Sequence, residues 1–131
     1  MAELLIWQTD GYFHSMSNAL FDALQLKGRG VDVAVLFAQA AVAALAEQKF
    51  DTSPPLAKYT TTINENLKKM GFSTDVMDYM KQAKSAGIPL YAGGWCDLLG
   101  VRGKLPPEIQ EIEIPEAEKL MAEAKRIIGR F

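Results

Sequence analysis

A single α/β domain built on a parallel sheet is the fold class this sequence predicts, and three observations predict it. Short apolar runs, at Leu4-Leu5-Ile6-Trp7, Val31 to Phe37 and Ile88 to Ala92, alternate along the chain with stretches of helical period. That order demands crossover connections, which make the joined strands parallel. The length of 131 residues matches one domain, and 49% hydrophobic with 23% charged residues is the composition of an ordinary globular core and surface.

Each element has a local reason. Leu4-Leu5-Ile6-Trp7 has no polar member, as a strand covered on both faces requires, and it stops at the turn signal Thr9-Asp10-Gly11. From Ser15 the period becomes helical, with Met16, Ala19, Leu20, Ala23 and Leu24 on one face. Ser15 or Ser17 offers a cap and Gly28 a stop. Val31 to Phe37 is rich in β-branched residues and reads as the second strand, passing straight into the helix formers Ala40 to Leu45. Asp51-Thr52-Ser53-Pro54-Pro55 breaks that helix.

Ile63, Leu67 and Met70 then mark a short helix before Gly71. Ser73 or Thr74 caps the next, which carries Val76, Tyr79, Met80 and Ala83 on one face and closes at Gly87. Ile88 to Ala92 is the third strand, with Pro89 near its first position, where a missing N–H is tolerated. Gly93 to Gly100 is a loop with one helical turn from Cys96, and Ile112-Glu113-Ile114 is a fourth short strand. Pro115 opens a last helix with Ala117, Leu120, Met121, Ala124 and Ile128 in register. Its acidic start (Glu116, Glu118) and basic end (Lys125, Arg126) suit the helix dipole. There is no repeat, low-complexity tract or interdomain linker, so residues 1–131 form one domain.

Composition narrows the function classes. A net charge of −2 leaves no basic surplus for phosphates, which argues against nucleic acid as a partner. The most apolar stretch, Val31 to Ala46, is shorter than a membrane span and carries Asp32 and Gln39, so no membrane association is expected. The first residues lack a basic segment and a cleavage site, and one cysteine allows no internal disulfide. A cytoplasmic location is the expectation.

In open α/β sheets, ligands sit beyond the carboxyl ends of the strands. Three loops qualify: Thr9 to Ser17, Phe37 to Ala41, and Gly93 to Leu99. Only the third holds a nucleophile, Cys96, beside Gly93, Gly94 and Trp95. A helical turn starting there would favour the thiolate through its free N–H groups, with Arg102 and Lys104 adding positive potential and Asp97 opposing it. A cysteine buried as a small apolar residue is the alternative. His14, the only histidine, lies with Thr9 in the first loop and could serve as a base or hydrogen-bond partner to Cys96, or else cap the surface. Tyr12 and Phe13 beside it read as exposed aromatics of a subunit contact. The methionines, Met16, Met70, Met77, Met80 and Met121, occupy packing positions. One cysteine and one histidine make no metal-ligand cluster, and Thr9-Asp10-Gly11 matches no phosphate-binding motif, so neither metal nor cofactor is expected.

The stretch Ala86-Gly87-Ile88-Pro89-Leu90-Tyr91-Ala92-Gly93-Gly94-Trp95-Cys96, followed by Gly100-Val101, resembles the DsrE/DsrF-like family; Gly30 to Phe37 matches that family's second strand in character. The resemblance implies a three-layer α/β/α fold with a mostly parallel sheet of four or five strands, assembled as a homo-oligomer, a trimer or hexamer. It also implies a sulfur-relay role, in which Cys96 would carry sulfane sulfur as a persulfide between donor and acceptor proteins, a sulfurtransferase-type activity. Gly93 stands where many members have a cysteine, Leu99 replaces the usual arginine, and the fifth strand the family leads one to expect has no evident segment. Two further readings stand beside the relay: a non-catalytic oligomeric module that binds a small ligand or a protein, with Cys96 structural, and last a flavodoxin-like nucleotide binder.

Overall fold

The computed structural model describes residues 2–130. Its sheet has five strands: β1 (Leu4–Gln8), β2 (Val33–Phe37), β3 (Leu90–Ala92), β4 (Gln110–Glu111) and β5 (Arg126–Arg130). They run in the order β4-β3-β2-β1-β5, and every pairing is parallel. Six α-helices accompany them: α1 (Phe13–Gly28), α2 (Ala40–Glu47), α3 (Thr60–Lys69), α4 (Val76–Ser85), the single turn α5 (Trp95–Leu98) and α6 (Ile114–Glu123). A 3-10 turn, Pro54–Tyr59, leads into α3.

Side chains alternate across each strand, and the two sets define the layers. Leu4, Ile6, Val33, Val35 and Phe37 join Met16 and Leu20 of α1, Leu45 of α2 and Met80 of α4 in the larger core. Leu5, Ala34 and Leu36 face the other way, where Ala117 and Met121 of α6 pack with Trp7 and Tyr91. The fold is therefore a three-layer α/β/α domain with a thick layer and a thin one. The thin layer is thin indeed: no residue of α6 is buried.

Several boundaries move for identifiable reasons. The helix expected from Ser15 begins at Phe13, because Asp10 Oδ1 accepts the Tyr12 N–H at 2.8 Å and turns the chain two residues sooner. Neither Ser73 nor Thr74 caps α4. Asp75 does, accepting the Met77 N–H at 2.9 Å, while Ser73 Oγ accepts the Asp75 N–H at 3.0 Å. The fourth strand lies at Gln110–Glu111, with Ile112 buried just after it and Ile114 already in α6.

The largest correction concerns the C-terminus. The last helix ends at Glu123, and Ile128 belongs to the missing fifth strand, not to a helical face. Strand β5 pairs with β1 from Leu4↔Arg126 to Gln8↔Arg130. With β5 on the far side of β1, the strand order reverses between them, and a crevice opens beyond their carboxyl ends.

Candidate functional site

Cys96 does not sit at a mouth. It is 0% exposed and belongs to the larger core cluster. The reason is local: Gly93 and Gly94 let the chain turn into α5, whose second residue then faces the sheet. The amides that might have favoured a thiolate are occupied, since Cys96 N–H donates to Gly93 O at 3.0 Å and Asp97 N–H to Gly94 O at 3.0 Å. Burial pushes the thiol pKa up, the Glu111 and Asp97 carboxylates push the same way, and only Arg102 opposes them with any weight. Arg102 itself is clamped by Asp97, Nε to Oδ1 at 2.6 Å and Nη2 to Oδ2 at 2.8 Å, with Glu111 and Glu113 each 3.9 Å away. The positive potential expected from Arg102 is spent on carboxylates. The expected exposed thiolate is, in this structure, a protonated core residue.

The other candidates fall in two separate places. Gly93, Gly94 and Trp95 line a cavity of about 440 Å³ on the thin side of the sheet, opposite Ile114, Ala117 and Met121. Its lining is almost wholly apolar, and Cys96 points away from it into the opposite layer. Thr9 serves as a tie: its N–H and its hydroxyl both donate to Arg130 O at 2.9 Å, joining the ends of β1 and β5.

His14 lines a different and larger cavity, of about 600 Å³, at the crevice where the strand order reverses. Asp10 enters from the end of β1, Arg130 from the end of β5, and His14, Ser17 and Phe21 from α1. The far wall is the segment from Ser53 to Phe72. There Ile63 and Leu67 of α3 line the cavity, with the exposed Met70 at its rim: they belong to neither core cluster, and α3 buries none of its residues. An amphipathic helix ordinarily buries its apolar stripe against the core. This one turns it toward a space.

The polar groups of that cavity are unusual too. Both imidazole nitrogens of His14 are buried without a hydrogen-bond partner, as are Ser17 Oγ and Arg130 Nε. No bond links His14 to Cys96. Burial lowers the His14 pKa below the ordinary 6.5, so the ring is neutral at pH 7. Around it Arg130 Nη1 meets Asp22 Oδ2 at 3.2 Å, and Asp10 Oδ1 accepts the neutral Tyr12 N–H at 2.8 Å.

A stability consequence follows from the ring. The unfolded chain takes up a proton as pH falls through 6.5, whereas folded His14 does so only at lower pH. Stability therefore declines as pH falls through 6.5 and levels off once both states are protonated. Urea midpoints measured across that range should fall for the natural chain and stay nearly level for His14→Phe, because no other histidine is present.

Arg130, Phe21 and Phe72 carry no signal of a site in the sequence, and Ile63, Leu67 and Met70 read there only as a helical period; locating β5 would have revealed the crevice. Among the described residues no group of three or more His, Cys, Asp or Glu side chains is placed to hold a metal ion, and no helix is long and apolar enough to cross a membrane. Comparisons with models of protein families and with curated proteins find no match. Among solved structures, the chain is similar to the ychN protein from E. coli, at 17% identity over 99% of this chain and 100% of that one, with a TM-score of 0.65. Identity that low carries a shared fold, and the α/β architecture described above is what the two proteins have in common.

Proposed function

We propose that this chain is a non-catalytic, self-associating module that binds a small ligand in the His14 cavity, with Cys96 a packing residue. The observation that carries this reading is the 600 Å³ space at the β1–β5 crevice, walled by an apolar helix face that belongs to neither core cluster. Ligand sites have this size, this mixture of apolar wall and few polar groups, and this position in open sheets. Self-association is supported by the thin side and the sheet edge, where Leu98, Ile114, Ile127 and Ile128 are all exposed. An edge strand bearing two exposed isoleucines is a surface that proteins otherwise blunt or cover.

Amide NMR spectra recorded during titration with a fragment set test the reading. Hits should shift resonances of α1, α3 and Phe72 together, and sedimentation should show more than one copy per particle. Shifts scattered over the surface, or none, would remove the ligand site.

A second reading is the sulfur relay. It rests on the resemblance of residues 86–96 to DsrE/DsrF-like proteins and on the place of Cys96 in a single four-residue turn. For that chemistry the turn must open, so that the Cys96 thiolate attacks a donor persulfide's outer sulfur and expels the donor thiolate; an acceptor thiolate then attacks the outer sulfur of the Cys96 persulfide and expels the Cys96 thiolate. Incubation with a sulfane-sulfur donor should then add one sulfur atom to the intact mass, and Cys96→Ser should abolish the gain.

A further inference from the structure

The ligand's chemistry can be taken further, on the footing that the His14 cavity is the binding site. We infer that its occupant is a non-anionic aromatic compound bearing a hydroxyl. Three observations select that class. First, the walls are aromatic where they are firmest: Phe21 and Phe72 meet edge-to-face at 5.1 Å, Phe13 meets His14 at 4.9 Å, and Tyr79 is fixed by donating its hydroxyl to Ser73 O at 2.8 Å. Rings stack well on such edges and faces, and a planar body fits between them and the aliphatic stripe of α3.

Second, the site has no free cation to offer an anion. The Arg130 guanidinium is matched by Asp22, the Asp10 carboxylate accepts a backbone N–H, and the imidazole is neutral. A ligand carboxylate would enter beside the Asp10 carboxylate with the Arg130 guanidinium already paired to Asp22, and desolvating it would go uncompensated. Third, the partnerless groups are the His14 imidazole, the Ser17 hydroxyl and the Arg130 Nε–H, which donates. A neutral imidazole presents one donor and one acceptor, and the Ser17 hydroxyl can act as either. A ligand hydroxyl, itself donor and acceptor, answers both once the ring swings toward the cavity. A hydrocarbon would leave them orphaned, at a cost typical of unsatisfied buried polar groups.

The test uses three probes on the full chain: 2-naphthol, 2-naphthoate and 1-decanol, with binding followed by amide NMR shifts of cavity residues. The expected result is saturable 2-naphthol binding, at least about tenfold tighter than either other probe, corresponding to roughly 1.4 kcal/mol. His14→Phe, which keeps a ring and removes its polar atoms, should erase most of that preference over 1-decanol. Leu67→Asp, on a helix that buries nothing and so tolerates the change, should abolish 2-naphthol binding by placing a carboxylate in the apolar wall. If 2-naphthoate or 1-decanol binds as tightly and Leu67→Asp removes it, the assigned class is wrong while the cavity remains the site. If no probe moves the cavity resonances, the site and the class fall together.

Discussion

Iodoacetamide is expected to alkylate Cys96 at least ~100-fold more slowly in the native protein than in the urea-unfolded chain, which corresponds to an opening cost of about 2.7 kcal/mol or more. Two physical effects combine. The residue has no exposed surface, so reagent reaches it only when α5 or the whole domain opens, and core positions open with free energies that approach global unfolding. In addition, the nucleophile is the thiolate, and burial with two nearby carboxylates holds the folded thiol above its ordinary 9.0.

The sign of the pH effect is fixed by the same shift. The unfolded chain loses this proton first as pH rises, so the thiol's contribution to stability is whole below pH 9.0 and is lost progressively above it. Mass spectrometry after timed quenching measures the rate. A native rate within about threefold of the unfolded one would mean that the turn opens with almost no cost. That outcome would transfer the weight of argument to persulfide chemistry.

Particular residues show why the sheet was legible and the site was not. Uninterrupted apolar runs such as Val33 to Phe37 state their burial directly, because a strand covered on both faces tolerates no polar member. The end of the chain is ambiguous by contrast. Ile128 stands at helical spacing from Leu120, Met121 and Ala124, so a period of 3.6 extends smoothly across a break that only tertiary pairing with β1 imposes. Losing β5 hid Arg130, the reversal of strand order and thus the crevice itself. Position in a loop after a strand likewise located Cys96 but not its direction, since rotation by one residue within a single turn separates the buried core from the cavity on the thin side. The stripe Ile63, Leu67 and Met70 was visible as a pattern. What it faces is a matter of neighbours, and a period is silent about neighbours.

Substituting Gly11 should be the most damaging change available near the cavity. The tripeptide Thr9-Asp10-Gly11 reads as a turn, yet the glycine is needed for proximity: a Cβ there would lie 2.6 Å from Ala40 O and 2.7 Å from Ala44 Cβ, both on α2. Neither neighbour can rotate away, because one is backbone and the other a methyl rooted on a helix whose residues Ala41, Val42 and Leu45 are fully buried. Overpacking of this kind costs about 1–3 kcal/mol, and Gly11→Val should exceed Gly11→Ala. Thermal melting should show it as a fall of several degrees. Gly28→Ala is the fitting comparison: nothing lies within 4 Å of its added methyl, and trading glycine for alanine at the end of α1 should be neutral or stabilising by up to ~1 kcal/mol. The loop that carries Gly11 also sets Asp10 and Tyr12, hence the start of α1 and the inner end of the cavity. Relief of the clash by moving this loop away from α2 should therefore weaken 2-naphthol binding in Gly11→Ala while leaving it unchanged in Gly28→Ala. Equal melting of Gly11→Ala and the natural chain would show that α2 does not press on this loop, and the shape assigned to the crevice would have to be redrawn.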